Sequence, residues 1–135
     1  MARAFAKHLS GSLAIVDKRR DSPDKTEVMH IIGEVAGRDV VIVDDLISTG
    51  GTIVQAAETL VRAGAKSVYA SATHAVFSGG AAEKLAASCI SELLVTDTIP
   101  QQIPAGKITL LSVAELLGEA IKRIHLETSV SSLFV

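Results

Sequence analysis

One stretch constrains the fold more than any other part of the chain: the run from Val40 to Thr52. Residues 40–44 form a β-branched run without polar alternation, which is typical of a buried strand. A loop rich in hydroxyl groups and glycine follows, and the apolar spacing after Thr52 predicts an amphipathic helix over residues 52–63. A strand, a loop and a helix in this order place the loop at the carboxyl edge of a parallel sheet, where open α/β folds bind ligands.

The loop has the composition of an anion-binding site. Gly50 and Gly51 allow backbone N–H groups to turn inward, while Ser48, Thr49 and Thr52 supply hydroxyl donors. The N-terminus of the following helix adds a partial positive charge. The sequence therefore predicts a cradle for an anion, most naturally a phosphate.

Two acids, Asp44 and Asp45, directly precede this cradle and would repel a bare phosphate. They suit a ligand that also carries hydroxyl groups, which can donate to a carboxylate, or a bound Mg²⁺. A sugar phosphate satisfies both halves of the site. The alternative is that the acids and glycines only end the strand and cap the helix. The loop at residues 48–52 alone leaves that alternative open. The combination of strand, paired acids and loop over residues 40–52 disfavours it.

The composition fits an α/β domain. The 135 residues are 48 % apolar but only 3 % aromatic, so Val, Ile, Leu and Ala must build the core. Strands and helices alternate over most of the chain, which predicts one doubly wound domain with a mostly parallel sheet and helices on both faces. The predicted strands are residues 12–17, 27–32, 40–44, 67–73, 90–96 and 107–111, and the predicted helices are 2–9, 52–63, 81–87 and 113–126.

Several function classes are disfavoured. The net charge of −2 gives no general attraction to nucleic acid or to an anionic membrane, and no apolar run could span a membrane. The one cysteine, Cys89, cannot form an internal disulfide, fits the reducing cytoplasm and is predicted to be buried among small residues. No dinucleotide fingerprint, P-loop or serine nucleophile elbow occurs. The four histidines lack metal-ligand spacing, and a structural role is favoured for His74 near the site.

Two further segments are predicted at the same edge of the sheet. Lys18, Arg19 and Arg20 follow a predicted strand and begin a charged loop. Charge alone would favour a solvated loop, but the position at the edge that carries the cradle favours a functional role. A second glycine turn, residues 77–80, opens the helix at residues 81–87 and is a weaker candidate for an anion or nucleotide contact.

The sequence resembles a known family in these segments. Residues 43–52 resemble the phosphoribosyl-diphosphate binding motif shared by type I phosphoribosyltransferases and ribose-phosphate pyrophosphokinases. Residues 17–20 followed by 27–29 are similar to the flexible catalytic loop of the pyrophosphokinases. Residues 73–81 resemble the stretch after their next strand, and residues 129–134 resemble their C-terminal tail. The likeness extends from the first helix to the end of the chain.

The resemblance implies a role for each candidate residue. Asp44 and Asp45 would hold the 2- and 3-hydroxyl groups of ribose 5-phosphate, either directly or through a Mg²⁺ ion bound to the ribose. Residues 48–52 would cradle the 5-phosphate. Lys18 and Arg20 would close over the reacting phosphates of ATP. The implied reaction moves the diphosphoryl group of ATP to the ribose 1-hydroxyl and releases AMP, a transfer that depends on positioning and charge neutralisation.

The chain departs from the family pattern in two ways. Many members carry an acid where Ser48 stands, and a serine keeps a hydroxyl donor but removes a carboxylate. Members also have two similar α/β domains, whereas residues 1–135 resemble only the C-terminal one. We therefore expect a single phosphoribosyltransferase-like domain without the N-terminal half, from a dissected or partial gene. Such a chain would bind ribose 5-phosphate and show little or no activity by itself.

Two other functions stay open from the sequence. One is a phosphoribosyltransferase acting on a base, although no segment is available to cover the base. The other is a non-catalytic regulatory or assembly module, since members of the family assemble into homo-oligomers and the tail, residues 127–135, is apolar enough to dock. With the full-length enzyme present, the resemblance implies that this chain would also join a homo-oligomer.

Overall fold

The computed structural model describes residues 2–19, 28–103 and 106–134. A short 3₁₀ helix, Ser131–Phe134, ends the described part. The helices are α1 Ala2–His8, α2 Gly51–Arg62, α3 Ala81–Ala86 and α4 Ala114–His125, and the strands are β1 Ile15–Arg19, β2 Val28–Ile32, β3 Asp39–Ile47, β4 Ser67–Ala75, β5 Glu92–Thr96 and β6 Ile108–Leu111.

A four-stranded parallel sheet with the strand order β3-β4-β5-β6 forms the centre of the domain. The connections through α2 and α3 cross the sheet in the same direction, so right-handed crossovers place both helices over one face. On β4 the residues facing these helices, Val68, Ala70 and Ala72, are buried, whereas Tyr69 between them is 38 % exposed. Leu60 of α2 and Leu85 of α3 complete the same core cluster. The predicted fold class, an α/β domain with a parallel sheet flanked by helices, is confirmed.

The first two strands lie outside that sheet. β1 pairs with β2 in an antiparallel ribbon, in which Lys18 lies opposite Met29. The prediction that the strand ends at Asp17 and that Lys18 begins a loop was therefore wrong, whereas the predicted position of this segment near the cradle stays a prediction. The ribbon extends β1 to Arg19, because each residue up to that point finds a backbone partner on β2. The side chain of Lys18 and the whole of Arg20 lie outside the described residues.

Two predictions of burial were also wrong. The strand at residues 40–44 was predicted to be buried, but β3 lies at an edge of the four-stranded sheet and Val41 is 48 % exposed. Cys89 is a free thiol and is exposed, because it lies in the turn after α3 where Ile90 occupies the buried position.

The C-terminal helix leaves its apolar stripe in solvent. No residue of α4 is buried, and Leu117, Ile121 and Ile124, which follow one another at helical spacing, are 55 %, 68 % and 66 % exposed. Arg123 ties the tail to this helix by donating hydrogen bonds to the carbonyl oxygen of Ser129 (3.0 Å) and to the hydroxyl of Ser132. No described helix is long and apolar enough to cross a membrane.

A glycine with positive φ joins β3 to α2. Gly50 has a φ of 72°, and a methyl group added to its Cα would lie 3.3 Å from the buried side chain of Leu85. Gly37 has a similar φ of 69°, but nothing lies within 4 Å of the corresponding position. Both sites carry the cost of a left-handed conformation for an L-residue, and only Gly50 adds crowding.

We expect Gly50→Ala to lower the free energy of unfolding by about 2–4 kcal/mol and Gly37→Ala by about 1–2 kcal/mol, because overpacking adds to backbone strain only at Gly50. Urea denaturation of both variants measures the difference. Equal losses would show that Leu85 relaxes without cost.

A carboxylate at the amino end of the sheet is held by its neighbours. Ser67 donates a hydrogen bond to Asp39 at 2.5 Å and Lys66 donates one at 3.3 Å. These bonds lower the pKa of Asp39 below its ordinary value of 3.8, the bond from Ser67 having the larger effect. Because the folded pKa lies below the unfolded one, the stabilisation is complete above about pH 4 and is lost as the pH falls through the folded pKa.

We expect Ser67→Ala to raise the pKa of Asp39 toward 3.8, since it removes the strongest bond to the charged form. Carbon-detected NMR titration of the Asp39 carboxyl measures this change. Ser71→Ala, on the same strand, serves as the control and should leave the pKa unchanged. An unmoved pKa in Ser67→Ala would contradict the assignment.

Candidate functional site

Both acids lie within β3, which continues past the strand end predicted at Asp44. The parallel pairing of β3 with β4 continues to Ile47, which lies opposite Ala75, and it includes Asp44 opposite Ala72. Because side chains alternate along a strand, Asp44 and Asp45 belong to opposite faces of the sheet. Both are exposed, and Asp44 Oδ1 accepts a hydrogen bond from the N–H of Asp45 at 2.9 Å.

A cleft of about 220 Å³ lies at the carboxyl end of β3. It brings Asp44 together with all five predicted cradle residues, whereas Asp45 does not line it. The lining residues are Asp44, Leu46, Ile47, Ser48, Thr49, Gly50, Gly51, Thr52 and Ile53. The cleft is therefore built from a carboxylate on one side and a hydroxyl-rich turn on the other.

The turn leaves the start of α2 open to a ligand. The helix begins at Gly51, with Gly50 as its N-cap residue and no side-chain hydrogen bond to the first turn. The first N–H groups of a helix have no partner inside the helix, and a glycine cap cannot supply one. These donors and the positive end of the helix dipole lie at the cleft, which is the arrangement that binds phosphate groups.

A second turn packs directly on the first. The hydroxyl groups of Ser78 and Ser48 lie 3.0 Å apart, and the N–H of Ser78 donates to the carbonyl oxygen of Ser48 at 3.0 Å. In the helix α3 that follows this turn, Lys84 Nζ donates a hydrogen bond to the carbonyl oxygen of Thr49 at 3.1 Å. Sequence reasoning gave this turn, residues 77–80, as a weaker candidate contact and did not single out Lys84. The available signal for Lys84 was its place in the helix that opens from this turn.

His74 lies inside β4 rather than beyond it, opposite Leu46 of β3. Its Nδ1 is 2.9 Å from the hydroxyl of Thr98, and the hydroxyls of Thr96 and Thr98 both donate to the carbonyl oxygen of Thr73. This network joins the ends of β4 and β5, which agrees with the structural role favoured for His74.

Asp97, which follows β5, is bonded to the loop that follows β6 at the carboxyl edge of the sheet. It accepts hydrogen bonds from the hydroxyl of Ser112 and from the N–H of Val113, at 2.9 Å for the latter, and these bonds lower its pKa. The loops after β5 and β6 are thereby held together at the carboxyl edge of the sheet.

The described residues offer no complete protein site for a metal. Among residues 2–19, 28–103 and 106–134, no group of three or more His, Cys, Asp or Glu side chains is arranged to hold a cation. The exposed carboxylate of Asp44 still fits Mg²⁺, which binds through few protein oxygens and completes its coordination with water and substrate.

The sequence and the structure both match proteins of one family. The phosphoribosyl synthetase-associated domain matches residues 3–135. Ribose-phosphate pyrophosphokinases of Gloeobacter violaceus and Haemophilus influenzae are 54 % and 53 % identical to this chain, each over 98 % of it. The matched region is 41 % and 44 % of those two proteins, so the chain spans less than half the length of these curated relatives.

A solved structure agrees. The phosphoribosylpyrophosphate synthetase from Mycobacterium smegmatis superposes with a TM-score of 0.85 at 34 % identity, covering 93 % of this chain and 41 % of that one. A profile match over nearly the whole chain, identities above 50 % and a shared fold lead to one conclusion: the chain belongs to the phosphoribosyl synthetase-associated domain family.

Proposed function

We propose that this chain is the ribose 5-phosphate binding domain of a ribose-phosphate diphosphokinase, an enzyme of nucleotide biosynthesis in the cytoplasm. The observation that carries the proposal is the cleft that joins Asp44 to the turn at residues 48–52. A carboxylate and a phosphate cradle in one cleft match the two ends of a sugar phosphate. The names of the relatives support the reaction type.

In this proposal, the two parts of the cleft bind different groups of the substrate. The N–H groups at the start of α2, with the hydroxyls of Ser48, Thr49 and Thr52, bind the 5-phosphate. The carboxylate of Asp44 accepts hydrogen bonds from ribose hydroxyls. Asp45 lies on the other face of β3, so its contact with the ribose requires a bridging water or Mg²⁺.

The proposed reaction is the transfer of the diphosphoryl group of ATP. The ribose 1-hydroxyl oxygen bonds to the β-phosphorus of ATP, the bond from that phosphorus to the α,β-bridging oxygen breaks, and AMP leaves with the bridging oxygen. Mg²⁺ neutralises phosphate charge when it is bound. Lys18 and Arg20 are proposed to contact the reacting phosphates, where cations stabilise the transition state.

We expect ribose 5-phosphate to bind the folded chain, and Asp44→Ala to weaken that binding at least about 10-fold, because charged hydrogen bonds to the ribose are lost. Isothermal titration calorimetry measures both affinities. Asp39→Ala is the matched control, since it removes a carboxylate from the other end of the same strand and should leave the affinity unchanged. Ribose and Mg-ATP serve as ligand controls.

Two results would contradict this proposal. Absence of heat with folded protein would reject the sugar-phosphate site and favour an assembly module, for which the exposed apolar stripe of α4 is the supporting observation. Unchanged affinity in Asp44→Ala would reject the role of that carboxylate.

We expect AMP formation from ATP and ribose 5-phosphate by this chain alone to stay at the protein-free background. The matched relatives contain more than twice the length of this chain, and positioning both substrates is proposed to require that additional part. The Haemophilus influenzae relative in the same assay is the positive control. Robust AMP release by the pure chain would overturn this expectation, and glycosyl transfer to a nucleobase would favour a phosphoribosyltransferase.

A further inference from the structure

Lys84 connects α3 to the cradle across 35 positions of sequence. Its Nζ donates a hydrogen bond to the carbonyl oxygen of Thr49 at 3.1 Å, and Thr49 lines the cleft below Asp44. An ammonium group carries three donors, and this bond engages one of them. The lysine therefore brings a positive charge to the turn that is expected to hold a dianionic phosphate.

The bonded carbonyl belongs to the same peptide group as the N–H of Gly50, a residue that lines the cleft. The peptide between Thr49 and Gly50 is trans and planar, so the carbonyl of Thr49 and the N–H of Gly50 point in opposite directions. Glycine accepts both signs of φ, so this peptide plane could rotate to another orientation at small cost. A hydrogen bond to the carbonyl oxygen opposes that rotation.

The helix that carries Lys84 is itself fixed against the turn. Leu85, its neighbour, is buried and lies next to Gly50, while Ser78 bonds to Ser48 through both its hydroxyl and its N–H. Lys84 thus extends from a well-packed support and does not depend on a flexible loop for its position.

We propose that Lys84 is a positioning residue of the phosphate cradle. It holds the Thr49–Gly50 peptide plane in the orientation that binds the 5-phosphate, and its charge offsets the repulsion between that phosphate and Asp44. The inference rests on the proposed binding of ribose 5-phosphate and adds a residue from a neighbouring element to that site.

Lys107 provides a matched control. It is also exposed, and its Nζ also donates to a backbone carbonyl, that of Ser88, at 2.9 Å. Ser88 follows α3, away from the residues that line the cleft. Replacing Lys107 removes one exposed lysine and one bond of the same type without touching the cradle.

The test compares Lys84→Met, Lys84→Arg and Lys107→Met. We expect Lys84→Met to weaken ribose 5-phosphate binding about 10-fold in calorimetry, as for loss of one charged hydrogen-bond partner. Lys84→Arg should restore affinity to within about 3-fold of the parent, since it keeps a charged donor. Lys107→Met should leave affinity unchanged. Circular dichroism melting of each variant establishes that the fold is intact.

A second readout needs no ligand. The ¹⁵N–¹H signal of Gly50 should shift and its hydrogen exchange should accelerate in Lys84→Met, while neither changes in Lys107→Met. Parent-like affinity of Lys84→Met, or failure of Lys84→Arg to restore binding, would overturn the proposal. If the parent chain itself binds no ribose 5-phosphate, the proposed function fails, and the Gly50 signal alone then decides whether Lys84 positions the turn.

Discussion

The parallel pairing of β3 with β4 is the constraint on which the rest of the site depends. Its register runs from Asp39 opposite Ser67 to Ile47 opposite Ala75, so the two strands end together. The turns that follow them are consequently adjacent, and the N–H groups of Phe77 and Ser78 bond to the carbonyls of Ile47 and Ser48. A slip of one residue would transfer Asp44 to the other face of the sheet.

Local sequence patterns were sufficient to predict much of this arrangement. The fold class, the loop at the carboxyl edge and the gathering of Asp44 with residues 48–52 follow from a strand, a glycine-rich turn and an amphipathic helix in succession. The end of β3 could not be predicted in this way. Acidic residues are poor strand formers, so the strand was expected to stop at Asp44, but pairing with β4 outweighs that preference and extends it to Ile47. Pairing with the antiparallel β2 likewise extends β1 to Arg19, beyond the strand end predicted at Asp17.

The wrong burial prediction for the strand at residues 40–44 has a physical origin. A run such as Val40–Val43 indicates a strand that is covered on both faces, but the pattern does not state which element covers it. In this chain β3 is an edge strand, Val41 is 48 % exposed, and Ile121 of α4 is 68 % exposed. Extended apolar surfaces of this kind mark contacts between protein surfaces. The matched region is less than half of the length of these relatives.

Ser48 shows how one substitution changes the electrostatics of such a site. The resemblance to the family places an acid at this position in many members, and a carboxylate there would stand beside the phosphate cradle together with Asp44. Serine removes that charge and forms a neutral pair with the hydroxyl of Ser78, 3.0 Å away. A hydroxyl can still donate to a phosphate, which a carboxylate cannot do. In the proposed site the serine would therefore reduce repulsion of the phosphate, and its pairing with Ser78 joins the turns that follow β3 and β4.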